Sequence, residues 1–141
     1  MELRVLTSGY WVELWTYLAA WLPMVPIAVA NGWLRESWYG RHLSELRAHQ
    51  VSTLTAILLF TGYMAALFAW RPTESLTQAL VVGQLWLWST LAFEFLFGHY
   101  VMGHPWRRLL GDYDLRAGRL WVLIPLWLAV GPAVLRNWLS P

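Results

Sequence analysis

Long apolar runs, nearly free of charged residues, alternate along this chain with short polar stretches, and the runs reach membrane length. They cover about Tyr10 to Ala30, about Leu46 to Trp70, about Leu76 to Tyr100, and about 119–138. Roughly 20 apolar helical residues cross about 30 Å of hydrocarbon. All four runs are therefore predicted as transmembrane helices, the fourth a short one between Arg119 and Arg136. The apolar residues come in blocks and not on one helical face, which argues against a soluble amphipathic bundle. Pro23 and Pro26 predict a kink or break in the first span. Ser44 is a suitable N-cap for the second span, and Arg71-Pro72-Thr73 closes it. The pattern predicts an all-α fold, one transmembrane domain over 1–141. Its architecture is an up-down four-helix bundle, with helices two and three as antiparallel neighbours.

Charge gives this pattern a direction. Of the ten Arg residues, Arg35, Arg41 and Arg47 lie in 31–47, and Arg107, Arg108, Arg116 and Arg119 lie in 101–119; Lys is absent. Cytoplasmic loops collect positive charge. Both stretches are thus expected inside, with the termini outside beside Arg4, Arg71 and Arg136. The predicted location is a bacterial inner membrane, multi-pass, with both termini periplasmic. The N-terminus lacks a basic stretch followed by an apolar core and a small-residue cleavage site, so the first run is expected to remain as an anchor. In the second inner loop Pro105 can open a short helix with Trp106, Leu109, Leu110 and Tyr113 on one face. That suits an interfacial helix among headgroups, the alternative being a helix packed on the bundle's end.

Composition narrows the chemistry. The chain is 58% hydrophobic and 13% charged, with a formal charge of +2 and no cysteine. Disulfides, thiolate metal sites and Cys nucleophiles are excluded, and the small positive charge is not a nucleic-acid footprint. No phosphate-binding Gly-rich loop, HExxH or nucleophile elbow occurs. Gly98 and Gly103 are wrongly placed for a close-packing motif.

The unusual polar residues gather at the Arg-rich end. Glu94 lies within Phe93-Glu94-Phe95-Leu96-Phe97, inside the third span, and an intramembrane acid usually faces the bundle and pairs or relays protons. If the first helix continues past Ala30, Arg35 lies one turn beyond Asn31 and is the first expected partner, with Arg47 the rival. His49 opens the second span beside Ser52 and Thr53, and His99 closes the third. At equal depth on facing helices they are candidate ligands for haem or another metal, the alternative being interfacial hydrogen bonds. The polar-pocket candidates are Asn31, Arg35, Glu36, His49, Ser52, Glu94 and His99; no catalytic residue is assigned.

Twelve Trp residues stand in the 141 positions. Trp11, Trp15, Trp33, Trp38, Trp70, Trp106, Trp121 and Trp138 fit interfacial belts. Trp21, Trp86, Trp88 and Trp127 fall near mid-membrane, where each indole N–H requires an acceptor. They are candidates to line a site for a quinone, carotenoid or lipid chain, the alternative being contact with lipid or a larger membrane partner.

The strings Asn31-Gly-x-x-Arg35-Glu36, Ala48-His49-Gln50-x-Ser52-Thr53, Phe93-Glu94-Phe95-x-x-Gly98 and Gly118-Arg119-Leu120-Trp121 are joined by Trp106-x-x-Leu109-x-x-Asp112-Tyr113. Over roughly 27–130 the chain resembles a group of small, uncharacterised bacterial integral membrane proteins with about four spans. The resemblance implies a membrane class and no activity. The functional expectation is an accessory or assembly subunit of a larger inner-membrane complex, in contact with lipids and other integral subunits. The alternative is a small protein that binds a quinone, carotenoid, lipid or haem, or relays protons, in a cytoplasmic-side polar pocket. An enzyme acting on a lipid ranks third.

Overall fold

A computed structural model describes residues 8–139, with side chains from Glu13 onward, and shows only helices and turns among them. The helices are α1 (Ser8–Trp21), α2 (Met24–Ser37), α3 (Glu45–Trp70), α4 (Leu76–Leu96), α5 (Trp106–Gly111) and α6 (Leu123–Leu139). Short 3-10 turns cover Tyr39–Arg41 and Leu115–Ala117, and α4 ends in a π turn over Phe97–Val101. Three stretches are long and apolar enough to cross a membrane: Glu13–Arg41, Glu45–Trp70 and Leu76–Val101. The fourth, Leu123–Leu139, is shorter, about 26 Å at 1.5 Å per residue.

The predicted break in the first apolar run lies at Leu22-Pro23, where α1 gives way to α2. Pro26 falls in the first turn of α2, where a missing N–H removes no intrahelical bond. The helix then runs on to Ser37, past the expected end at Ala30. That extension sets Asn31 and Arg35 on successive turns. At the start of α3 the Ser44 hydroxyl accepts from the Arg47 amide at 3.2 Å, so the expected cap is present.

The expected close pairing of helices two and three is corrected. The α6 helix packs closely on both α3 and α4, whereas α3 and α4 meet mainly through side chains such as Phe68, stacked on Trp86 at 5.7 Å. Small residues explain the preference. A Cβ at Gly83 would lie 1.9 Å from the Ala129 carbonyl oxygen, and one at Gly131 would lie 2.8 Å from the Met64 methyl. Thus α6 seats its backbone on α4 through one glycine and receives Met64 of α3 over the other. The core around this wedge includes Tyr17, Phe60, Met64, Phe68, Val82, Trp86, Ile124 and Leu128.

Polar ties fix the end remote from the Arg cluster. Tyr17 Oη donates to the Arg71 and Pro72 carbonyls at 3.0 and 3.2 Å, and Gln78 Nε2 to Glu13 at 2.8 Å. Arg136 donates to the Thr73 carbonyl at 2.5 Å. These bonds bind α1, the 71–75 turn, α4 and α6 into one end cap.

Candidate functional site: a cleft at the Arg-rich end

The opposite end is open. A cleft of about 320 Å³ enters between α2, α3, α4 and the connection from α4 to α6. Trp21, Met24, Phe60, Phe93, Ile124 and Leu128 form its apolar depth, and Arg35, His49, Glu94, His104, Asp112 and Tyr113 its polar end. A few convergent polar groups over apolar walls is the usual make-up of a small-ligand site.

Glu94 occupies the boundary between the two parts. Its carboxylate accepts from Tyr113 Oη and, at 3.0 Å, from Trp121 Nε1. Neither expected Arg pairs with it. Arg35 instead donates to Ser52 Oγ at 3.2 Å and lies 3.8 Å from Glu36, while Arg47 is exposed. Arg35 reaches the cleft wall on α2, and Glu94 has already drawn its donors from the loop and the start of the last apolar segment. Tyr113, outside the apolar spans, has its phenol pKa raised well above the ordinary value, first by burial and then by the adjacent carboxylate. It therefore remains a neutral donor.

Asn31 and Ser52 support Arg35 from below. Asn31 Nδ2 donates to the Ser52 carbonyl and hydroxyl, both at 2.9 Å, and both side chains are buried. Asn31 Oδ1 is buried without a hydrogen-bond partner, as is Nδ1 of His49. Nε2 of His49 lies 3.9 Å from Asp112, and its ring tilts against Trp121 at 5.6 Å. The loop that carries Asp112 and Tyr113 is itself anchored. Gly118, at φ 83, takes a left-handed turn, and its carbonyl accepts from Gln50 Nε2 at 2.9 Å.

Of the seven polar candidates, the structure brings Arg35, His49 and Glu94 to the cleft, with Asn31 and Ser52 behind Arg35. Glu36 is largely exposed. His99 turns away, its ring stacked on Trp106 at 3.9 Å and its Nδ1 2.9 Å from the His104 carbonyl. His49 and His99 therefore do not form a joint ligand pair, because α6 separates the helices expected to bring them together. Among the described residues no group of three or more His, Asp or Glu is arranged to hold a metal ion.

The Trp residues expected near mid-membrane do not converge either. Trp21 lines the cleft and donates to Thr90 Oγ1 at 2.9 Å. Trp86 donates to the Tyr17 carbonyl at 2.8 Å and Trp127 to Thr61 Oγ1 at 2.9 Å, both as helix ties. Trp88 lies exposed on the outer surface. Trp15, Trp33, Trp38, Trp70, Trp106 and Trp138 are also exposed, as a belt requires; the Trp11 side chain, like Arg4, lies outside the described residues. Trp121 is the exception, turned inward onto Glu94. Sequence reasoning also missed Tyr113 and Asp112 as site residues, although both stand in the Asp112-Tyr113 string. In α5, Leu109 packs against Gly98, where a Cβ would lie 2.7 Å from its methyl, while Leu110 is exposed. The face expected to be shared by Trp106, Leu109, Leu110 and Tyr113 is thus divided.

Comparison of the chain with protein-family models, curated proteins and solved structures finds no match.

Proposed function

We propose that this is a four-span inner-membrane protein whose cleft, open at the cytoplasmic side, binds an amphiphilic small molecule: an apolar body among Trp21, Met24, Phe93 and Leu128, a polar head at Arg35, His49 and Glu94. The observation that carries the reading is the composition of the cleft wall, polar at the Arg-rich end and apolar in its depth. Lipid and isoprenoid ligands share that division, and a quinone head fits the same donors and acceptors. Proton transfer to a bound head would fall to Glu94, the acid at the polar–apolar boundary.

Residue pairs support the up-down arrangement. Asn31 with Ser52, together with the short connection over 38–44, supports α2 antiparallel to α3; Gly83 with Ala129 and Thr73 with Arg136 support α4 antiparallel to α6. Glu13 with Gln78 and Trp21 with Thr90 set α1 parallel to α4. The seven Arg at the open end orient it toward the cytoplasm. A reporter fused after Pro141 is then expected to behave as exported, and a cytoplasmic signal there reverses the map.

The binding reading is tested by native mass spectrometry of the protein in mild detergent. The wild type is expected to retain one amphiphile per chain. Ala28→Trp, which fills the cleft, and Arg35→Gln, which removes the head-group cation, are expected to lose it. An empty wild type, or variants that retain the ligand fully, count against the cleft.

A second reading, an accessory subunit of a larger membrane complex, has its own support. Large apolar side chains such as Trp15, Leu58, Trp70 and Trp88 remain exposed on the helices. Co-purification of a larger assembly, indifferent to the two cleft variants, favours that role.

A further inference from the structure

An amide side chain is left on the apolar outer surface. Gln84 is exposed on α4, about 12 Å along the axis from Leu76, inside the apolar stretch Leu76–Val101. Among the described residues its amide has no hydrogen-bond partner, and neither has the indole N–H of Trp88, which is 63% exposed one turn on. The contrast with Trp21, Trp86 and Trp127, all bonded, is sharp. In hydrocarbon no water can satisfy an amide, so an unpaired Gln at this depth is costly.

The surroundings of Gln84 define a seam. Thr77, Val81, Gln84 and Trp88 follow one another at intervals of four, three and four residues, the spacing of a left-handed helix–helix contact. With Leu18 of α1 beside them they line a shallow groove on the outer surface. We infer that this face of α4 is a homodimer interface, in which Gln84 of one protomer hydrogen-bonds Gln84 of its partner.

A second copy is the occupant that the chemistry selects. Both copies insert in the same orientation, so across a two-fold axis along the membrane normal α4 meets α4 in parallel. Residues of equal depth then face each other. A primary amide donates and accepts at once, so two Gln84 side chains complete one another, which no apolar or singly charged residue would do. The 4-3-4 seam is matched to its own copy in that same parallel register. This inference rests on the membrane-spanning reading but not on the cleft, which opens elsewhere.

The chain contains no cysteine, so single cysteines report unambiguously. In proteoliposomes at fixed protein-to-lipid ratio, oxidation with copper phenanthroline is expected to cross-link Val81→Cys and Trp88→Cys into dimers. Leu58→Cys, on an exposed face of α3, is expected to stay monomeric. Adding Gln84→Leu to Val81→Cys is expected to lower the dimer yield about tenfold, and Gln84→Asn to restore most of it. Equal cross-linking at Leu58→Cys, or a yield indifferent to Gln84→Leu, overturns the interface. Alkaline-carbonate extraction reads the membrane assignment separately. A chain that is extracted refutes both readings, whereas a retained monomer refutes the dimer alone.

Discussion

Gly83→Leu is expected to unseat α6 and to abolish accumulation of the folded protein. Even a methyl at this position would sit 1.9 Å from the Ala129 carbonyl oxygen, and that oxygen belongs to backbone, which cannot swing aside as a side chain would. Gly83→Ala is therefore expected to cost on the order of 1–3 kcal/mol through a forced shift of two helices, and Gly83→Leu more. The neighbouring glycine supplies the control. At Gly131 the nearest atoms are the methyl and sulfur of Met64, a flexible side chain, so Gly131→Ala is expected to be the milder change. Thermal aggregation of the two variants in detergent measures the difference. Equal midpoints for Gly83→Ala and the wild type would show that α4 and α6 do not meet through backbone.

The second large effect is expected at Glu94. Glu94→Ala leaves Tyr113 Oη and Trp121 Nε1 without their acceptor, and stranding such half-buried donors costs up to about 1–3 kcal/mol each. The α5 connection is then expected to loosen from α4, with protease cleavage within 103–118 as the readout, and the ligand retained by the wild type is expected to be lost. Tyr113→Phe removes one of the two bonds. In a double-mutant cycle Glu94 and Tyr113 are expected to couple, whereas Glu94 and Arg35, which make no contact, are expected to add. Strict additivity of Glu94→Gln and Tyr113→Phe would sink the assignment. The phenol also sets a pH limit. Its folded pKa is raised above the ordinary value of about 10, so its contribution is complete below that pH and is lost as pH rises beyond it toward the higher folded pKa. Below about pH 10 Tyr113→Phe is expected to leave the pH slope of stability unchanged, and above it the wild type alone is expected to lose stability, because the phenol ionises in the unfolded chain while it stays a protonated donor in the folded one.

Much of the helical layout was legible in sequence because the signals are local. Apolar run length sets where long helices lie, a proline at Pro23 breaks one, and Ser44 caps another; each acts within a few residues of itself. The boundary at Ala30 was missed because the polar residues after it read as a loop, although Asn31 and Arg35 are held on a helix by Ser52 of a different span. Glu94 was legible as a site residue for a similar reason, since a buried acid in an aromatic run is anomalous wherever it points. Its partners were not. Tyr113 and Trp121 lie 19 and 27 residues away, and nothing in their own neighbourhoods distinguishes an inward-turned Trp from a belt Trp.

What the sequence by itself determined, then, is the all-helical class, three stretches able to cross a membrane, and the charge asymmetry of the two ends. Hydrocarbon solvation acts residue by residue and leaves its record in composition. What only the tertiary structure decided is which helices touch. The order of contact follows from where a side chain is absent, at Gly83 and Gly131, and close packing depends on shapes brought together from distant parts of the chain. That packing put α6 between α3 and α4, parted His49 from His99, and gave Glu94 its donors.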